Sequence, residues 1–129
     1  MKYLVLSFCF VVALGCKGDF VSSKVEQAYA DVMEVHDAVM PEMSTLNKLR
    51  KQVKKIDGES ASSLDMIKQL KDANEGMMVW MSEFDLDRKA PEKSQLEYLR
   101  GEQIKIQKVS DDMNGAMTDA REYIISMQK

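Results

Sequence analysis

Val25, Val32, Val39, Leu46 and Val53 stand seven residues apart, and this spacing constrains the chain more than any other feature of it. Ala28, Val35, Leu49 and Ile56 fill the positions between them, so one apolar stripe runs from residue 25 to residue 56. A stripe at this period lies along one side of an α-helix, and that side has to be covered by another helix. A half-buried strand would need apolar residues at every second position, and no such alternation of β-branched residues occurs. Strong helix formers dominate the chain instead.

The ends of the helices are marked in the same way. Ser23-Lys24-Val25-Glu26 has capping-box spacing, and Asp57-Gly58 ends the stripe with a glycine just past the last turn. A helix over 23–57 is about 50 Å long at 1.5 Å per residue. A second helix is expected to begin within Ser60-Ala61-Ser62-Ser63, where Ser62 and Asp65 have cap spacing. It turns Ile67, Leu70, Met77, Met81 and Phe84 inward. Residues 85–90 break the pattern, and Pro91 followed by Glu92 suits the first turn of a third helix. That helix places Leu96, Leu99, Ile106, Met113, Met117, Ala120, Ile124 and Met127 on one side, with Gln103 and Ser110 as polar interruptions. Short connections make successive helices antiparallel. The expected fold is therefore all-α, an elongated, coiled-coil-like antiparallel three-helix bundle over 23–129. Its first helix is kinked or broken near Pro41, which lacks the N–H that Asp37 would accept and crowds that turn at about 3 kcal/mol. Met40, before the proline, is expected to leave helical geometry.

Ahead of the bundle lies a different kind of segment. Lys2 is followed by an uncharged apolar run over residues 3–14, then Gly15 and Cys16. The run has the length of an export signal and is too short for a permanent membrane span, which needs about 20 apolar residues. Val12-Ala13-Leu14-Gly15-Cys16 resembles a bacterial lipobox, with Ala13 where leucine is usual. This implies a signal peptide over 1–15, removed on export, and a lipidated Cys16 opening a short polar tether over 16–22. Two or three acyl chains hold such a protein firmly to a membrane, whereas one does so only weakly. The expected location is the cell envelope, at the outer membrane on its periplasmic or surface face. Cleavage there removes Cys9 and consumes Cys16, leaving no thiol for a disulfide or a nucleophile.

The segment 16–129 is enough for one domain and one core. Leaving out Lys2, 17 of the 18 basic side chains remain against 21 acidic ones, mixed along the chain. A nucleic-acid interface needs a basic stripe, and there is none, so that class is excluded.

One neighbourhood has an unusual composition. Met33, His36, Met40 and Met43 follow steps of three and four residues and share a helix face, with Tyr29 one turn earlier. Folding the hairpin about residues 57–60 sets His36 opposite Met81 and Met40 opposite Met77, with Trp80 between and Gly101 at the same height. Methionine is adaptable packing material, so the plain reading is core filling beside a proline kink. Thioether and imidazole ligands also suit Cu(I), which gives a candidate metal set of Met33, His36, Met40, Met77 and Met81 with Trp80 adjacent. A haem held by His36 and one methionine is a further arrangement, and the absence of Cys-x-x-Cys-His excludes covalent haem. Catalysis has less support. His36 and Asp37 are neighbours expected to point to different helix faces, and one histidine cannot make the two Glu-x-x-His motifs of a di-iron bundle.

Three segments together resemble a family of small lipoproteins of Bacteroidota often labelled "viral A-type inclusion protein". They are His36-Asp37-Ala38-Val39-Met40-Pro41-Glu42-Met43, Ala73-Asn74-Glu75-Gly76-Met77-Met78-Val79-Trp80-Met81 with Phe84, and the signal ending at Cys16. The likeness spans the whole chain, with Ser82 where the family usually carries a second histidine. It implies an envelope lipoprotein with a helical fold and carries no activity with it. The functional expectation is a non-catalytic, methionine-rich binding or scaffold module without a cofactor, with Cu(I) binding as the alternative. Its expected partners are the membrane, through the lipid, and a protein partner or a second copy of the chain. An adaptor or chaperone for an envelope complex is a third expectation.

Overall fold

The computed structural model describes residues 22–129. The apolar run over 3–14, Cys16 and residues 17–21 lie outside the described residues. Helix α1 spans Ser23–Val39, a single 3₁₀ turn takes Met40–Glu42, and α2 runs over Met43–Asp57. Helix α3 covers Ala61–Glu83 and α4 covers Glu92–Ser126. The fold is all-α, with α1 and α2 acting as one broken helix in a three-helix bundle.

The break falls where the proline demands it. Pro41 sits at the start of the 3₁₀ turn, a position that does not use its missing N–H. Met40 stays in the right-handed helical region at φ −54°, contrary to the sequence expectation, and its N–H donates to the His36 carbonyl. Val39 absorbs the distortion instead, with φ opened to −102°.

The caps also fall slightly earlier than their sequence spacing suggests. Ser22, not Ser23, caps α1, its side chain accepting from the Val25 N–H at 3.4 Å. Ser60, not Ser62, caps α3 by accepting from the Ser63 N–H at 3.2 Å. In both places the residue that follows the cap already has helical geometry, which leaves the cap role to its predecessor. Asp57 Oδ1 accepts from the Ser60 N–H at 3.2 Å and ties the end of α2 to the start of α3. Gly58 stops α2 without a left-handed backbone, at φ −80°. A Cβ there would stand 2.8 Å from the Lys54 carbonyl oxygen, so glycine is required by close approach.

All five residues of the seven-residue repeat are buried, together with Leu49, Leu70, Met77, Leu99, Ile106 and Met113. This core and its half-buried flank draw only on residues 25–124. Helix α2 packs on both α3 and α4, whereas α1 packs chiefly on α4. Between α1 and α3 the contact is made by long aromatic side chains, Tyr29 with Phe84 and His36 with Trp80. The proline break thus divides the bundle into an aliphatic half and an aromatic half.

Candidate functional site

The hairpin register read from the sequence brings His36 onto Trp80, with ring centroids 5.5 Å apart and planes inclined by 33°. The candidate donors around that contact then separate by environment. Met77 is wholly buried in the core and Met33 is half-buried against it. Met40 and Met81 are open to solvent, 43% and 36% exposed. A ligand arriving from outside therefore meets His36, Met40 and Met81 first, and Met77 only after the core repacks. At Gly101 a Cβ would meet nothing within 4 Å, so that position borders open space and close approach does not require a glycine there.

His36 and Asp37 do not point apart as their spacing suggests. His36 Nδ1 lies 2.8 Å from Asp37 Oδ1. Neighbouring side chains diverge around a helix, but Nδ1 lies close to its own backbone and reaches the next carboxylate without crossing the helix. A neutral imidazole that donates from Nδ1 keeps Nε2 as its lone-pair nitrogen, the arrangement in which a carboxylate orients a metal-binding histidine. Among the described residues no group of three His, Cys, Asp or Glu side chains has metal-ligand spacing, so any site here would rest on the imidazole and thioethers.

Trp80 begins a ladder of rings that runs toward the 84–91 loop. It stacks on Phe84 at 4.8 Å, and Phe84 faces Tyr98 at 6.1 Å and Tyr29 at 6.2 Å. Such offset pairs add about 0.5–1.5 kcal/mol each beyond the area they bury. The loop is fastened to the ladder. The Asp85 N–H donates to Tyr98 Oη at 2.7 Å, Gln95 Nε2 donates to the Arg88 carbonyl at 2.9 Å, and the Arg88 guanidinium lies 4.8 Å above the Tyr98 ring. Beside this fastening, between the first turns of α1 and α4, opens a cleft of about 320 Å³.

The residue that sequence reasoning missed is Glu102. Trp80 is one turn back from Phe84, and Glu102 is one turn on from Tyr98, so the antiparallel pairing sets them level. Glu102 is buried, only 3% exposed, on the core seam of α4. Its Oε1 accepts from Lys105 Nζ at 2.8 Å, while Oε2 and Trp80 Nε1 are buried with no hydrogen-bonding partner among the described residues. The hydrogen bond and charge of Glu102 hold the Lys105 ammonium above its ordinary 10.5. A signal was present: Leu99, Glu102 and Ile106 follow the three-then-four step of the buried seam. Gln103, expected to interrupt that seam, is exposed.

The described helices include none long and apolar enough to cross a membrane. Comparison with protein-family models, with curated proteins and with solved structures finds no match to this chain.

Proposed function

We propose that this protein is a cell-envelope lipoprotein, anchored through a lipidated Cys16, whose three-helix bundle works by binding and performs no catalysis. The observation that carries this reading is the flank where α1 faces α3. Met40, one turn on from His36, and Met81, next to Trp80, are exposed there, Met78 is exposed one turn before Met81 toward α2, and Tyr29 is exposed two turns before His36. Single exposed apolar residues are ordinary, but a run of them on one flank is what a protein partner covers. Methionine suits that role because its unbranched thioether adapts to the surface it meets. The resemblance to Bacteroidota lipoproteins supports the same location.

A photo-crosslinking side chain placed at Met81 in the full chain, in envelopes, tests the reading against one at Ile104 on α4, which is 73% exposed. The expected result is a discrete adduct from position 81 that Met78→Asp abolishes, and none from position 104. The same diffuse products from both positions would remove the flank as a partner face. Cys16→Ser is expected to release the protein from the membrane fraction.

A second reading, Cu(I) binding, is favoured by one specific observation, the Asp37-oriented His36 with solvent-open Met40 and Met81 beside it. An anaerobic Cu(I) titration against a competing chelator, read by the single tryptophan, tests it. Copper bound at this surface quenches Trp80 in the unaltered protein and in Met77→Leu, and the quenching disappears in His36→Ala.

A further inference from the structure

The cleft beside the 84–91 loop has apolar walls with Glu26, Asp85, Arg88 and Gln95 around them. Val25 and Tyr29 of α1 form one side, Tyr98 and Leu99 of α4 the other, and Leu86 of the loop the rim. Leu86 and Tyr29 are both open to solvent at this cleft, 66% and 38% exposed. The Asp85–Tyr98 and Gln95–Arg88 hydrogen bonds fasten the loop to α4 at one side of the cleft.

What lies next to it in the chain is apolar. Ser22 caps α1 in an extended conformation, ψ 143°, one helical turn before Val25 of the cleft wall. Just before that cap stand Phe20 and Val21, the only apolar residues between Cys16 and Ser22. An apolar residue ahead of a cap usually folds back onto the fourth helical position. Here that position is Glu26, so α1 alone offers no apolar partner. The partner has to come from across the loop. Phe20 is two residues from Ser22, a reach of at most about 7 Å of extended chain plus its own ring. Val25 is one helical turn, about 5 Å, beyond the cap. Of the two apolar residues, the phenyl ring is the one with aromatic walls to meet.

We propose that this cleft is the docking site for Phe20 of the same chain, its ring seated between Tyr29 and Tyr98 under Leu86. Docking is intramolecular, so the covalent link supplies an effective concentration in the millimolar range. Where Cys16 carries lipid, as in the proposed function, a docked Phe20 leaves four residues, at most about 14 Å, between the acyl chains and the cleft. The loop end of the bundle is then held against the membrane. The docking itself does not depend on the lipid.

The chain from Lys17 onward retains every core residue and contains only two phenylalanines, Phe20 and Phe84. Labelled with 4-fluorophenylalanine, it gives two ¹⁹F resonances, and the one lost in Phe20→Leu is Phe20. The expected result is a Phe20 resonance shielded from a soluble paramagnetic agent to within about twofold of buried Phe84, at every protein concentration. Leu86→Asp, which places a charge at the rim, removes that shielding and leaves Phe84 unchanged. A Phe20 resonance that relaxes as a free side chain overturns the proposal, and so does shielding that survives Leu86→Asp. Shielding that disappears on dilution also overturns it and assigns the cleft to the arm of a second copy. The mass of Cys16 in protein recovered from envelopes reads the lipid separately, so failure of the anchor and failure of the docking are told apart.

Discussion

The two ends of this bundle are built from different materials. At the end that carries the 58–60 turn, α2 wedges between α3 and α4 with Leu46, Leu49, Val53, Leu70 and Ala120, and the connection is held by short caps. At the end that carries the 84–91 loop, α1 leans on α4, and rings bridge its distance from α3. Four of the five described aromatic residues, the single histidine and the buried Glu102 lie in that second half. The first half has what close-packed stability requires. Both halves keep buried polar atoms without partners among the described residues, Trp80 Nε1 and Glu102 Oε2 in the second, Asn74 Oδ1 and Tyr123 Oη in the first, each at a cost in free energy; only the second includes a carboxylate.

Substitutions that treat both halves alike are the most direct way to break this contrast. Leu70→Ala, in the aliphatic half, should lower stability by about 3 kcal/mol through lost burial and the cavity it leaves. Trp80→Phe removes a larger group but also an unpartnered buried donor, and should cost about 1 kcal/mol or less. Urea midpoints measure both. Equal losses would mean that the aromatic half packs as efficiently as the other. Glu102→Leu sharpens the contrast: filling a seam position with an apolar residue should raise stability by about 1 kcal/mol, because the exposed Lys105 stays solvated. A lower midpoint for that variant would show that Glu102 has a compensating partner.

The smallest effect belongs to the turn. The Ser60 side chain first, and then its backbone N–H, holds the Asp57 carboxyl below its ordinary 3.8. A group lowered on folding contributes stability above its unfolded pKa and loses it as the pH falls. The contribution of Asp57 is therefore complete above 3.8 and fades below it. The gap in urea midpoint between the parent protein and Asp57→Asn should narrow over that acidic window. A constant gap would assign the residue's effect to something other than its charge.

The core side of the rod made by α1 and α2 was legible in the sequence because helical period is a strong signal: five residues at seven-residue spacing named it through both halves, and all five are buried. Hairpin arithmetic extended the reading to His36 and Trp80, because the 58–60 turn is too short to leave the register free. The rest depended on geometry that a linear pattern does not carry. Which serine caps a helix turns on one residue's ψ. The His36–Asp37 contact depends on where Nδ1 sits relative to its own backbone. Glu102 was passed over because charge masked a seam position that spacing alone would have assigned. Met40 and Met81 appeared equivalent to Met77 by period, yet α1 packs chiefly on α4 and little on α3, and both stay at the surface.

Three antiparallel rods are an odd number, so the chain enters the bundle at one end and leaves it at the other. Helix α4 covers 35 residues, about 50 Å at 1.5 Å per residue, and this is roughly the separation between the start of α1 and Lys129. If the docking proposed above holds the loop end at a membrane, Lys129 stands at the far end of the bundle from it. Whatever is fused at Lys129 stands clear of the cleft, which makes that end the place for a handle and the other the place to look for contact.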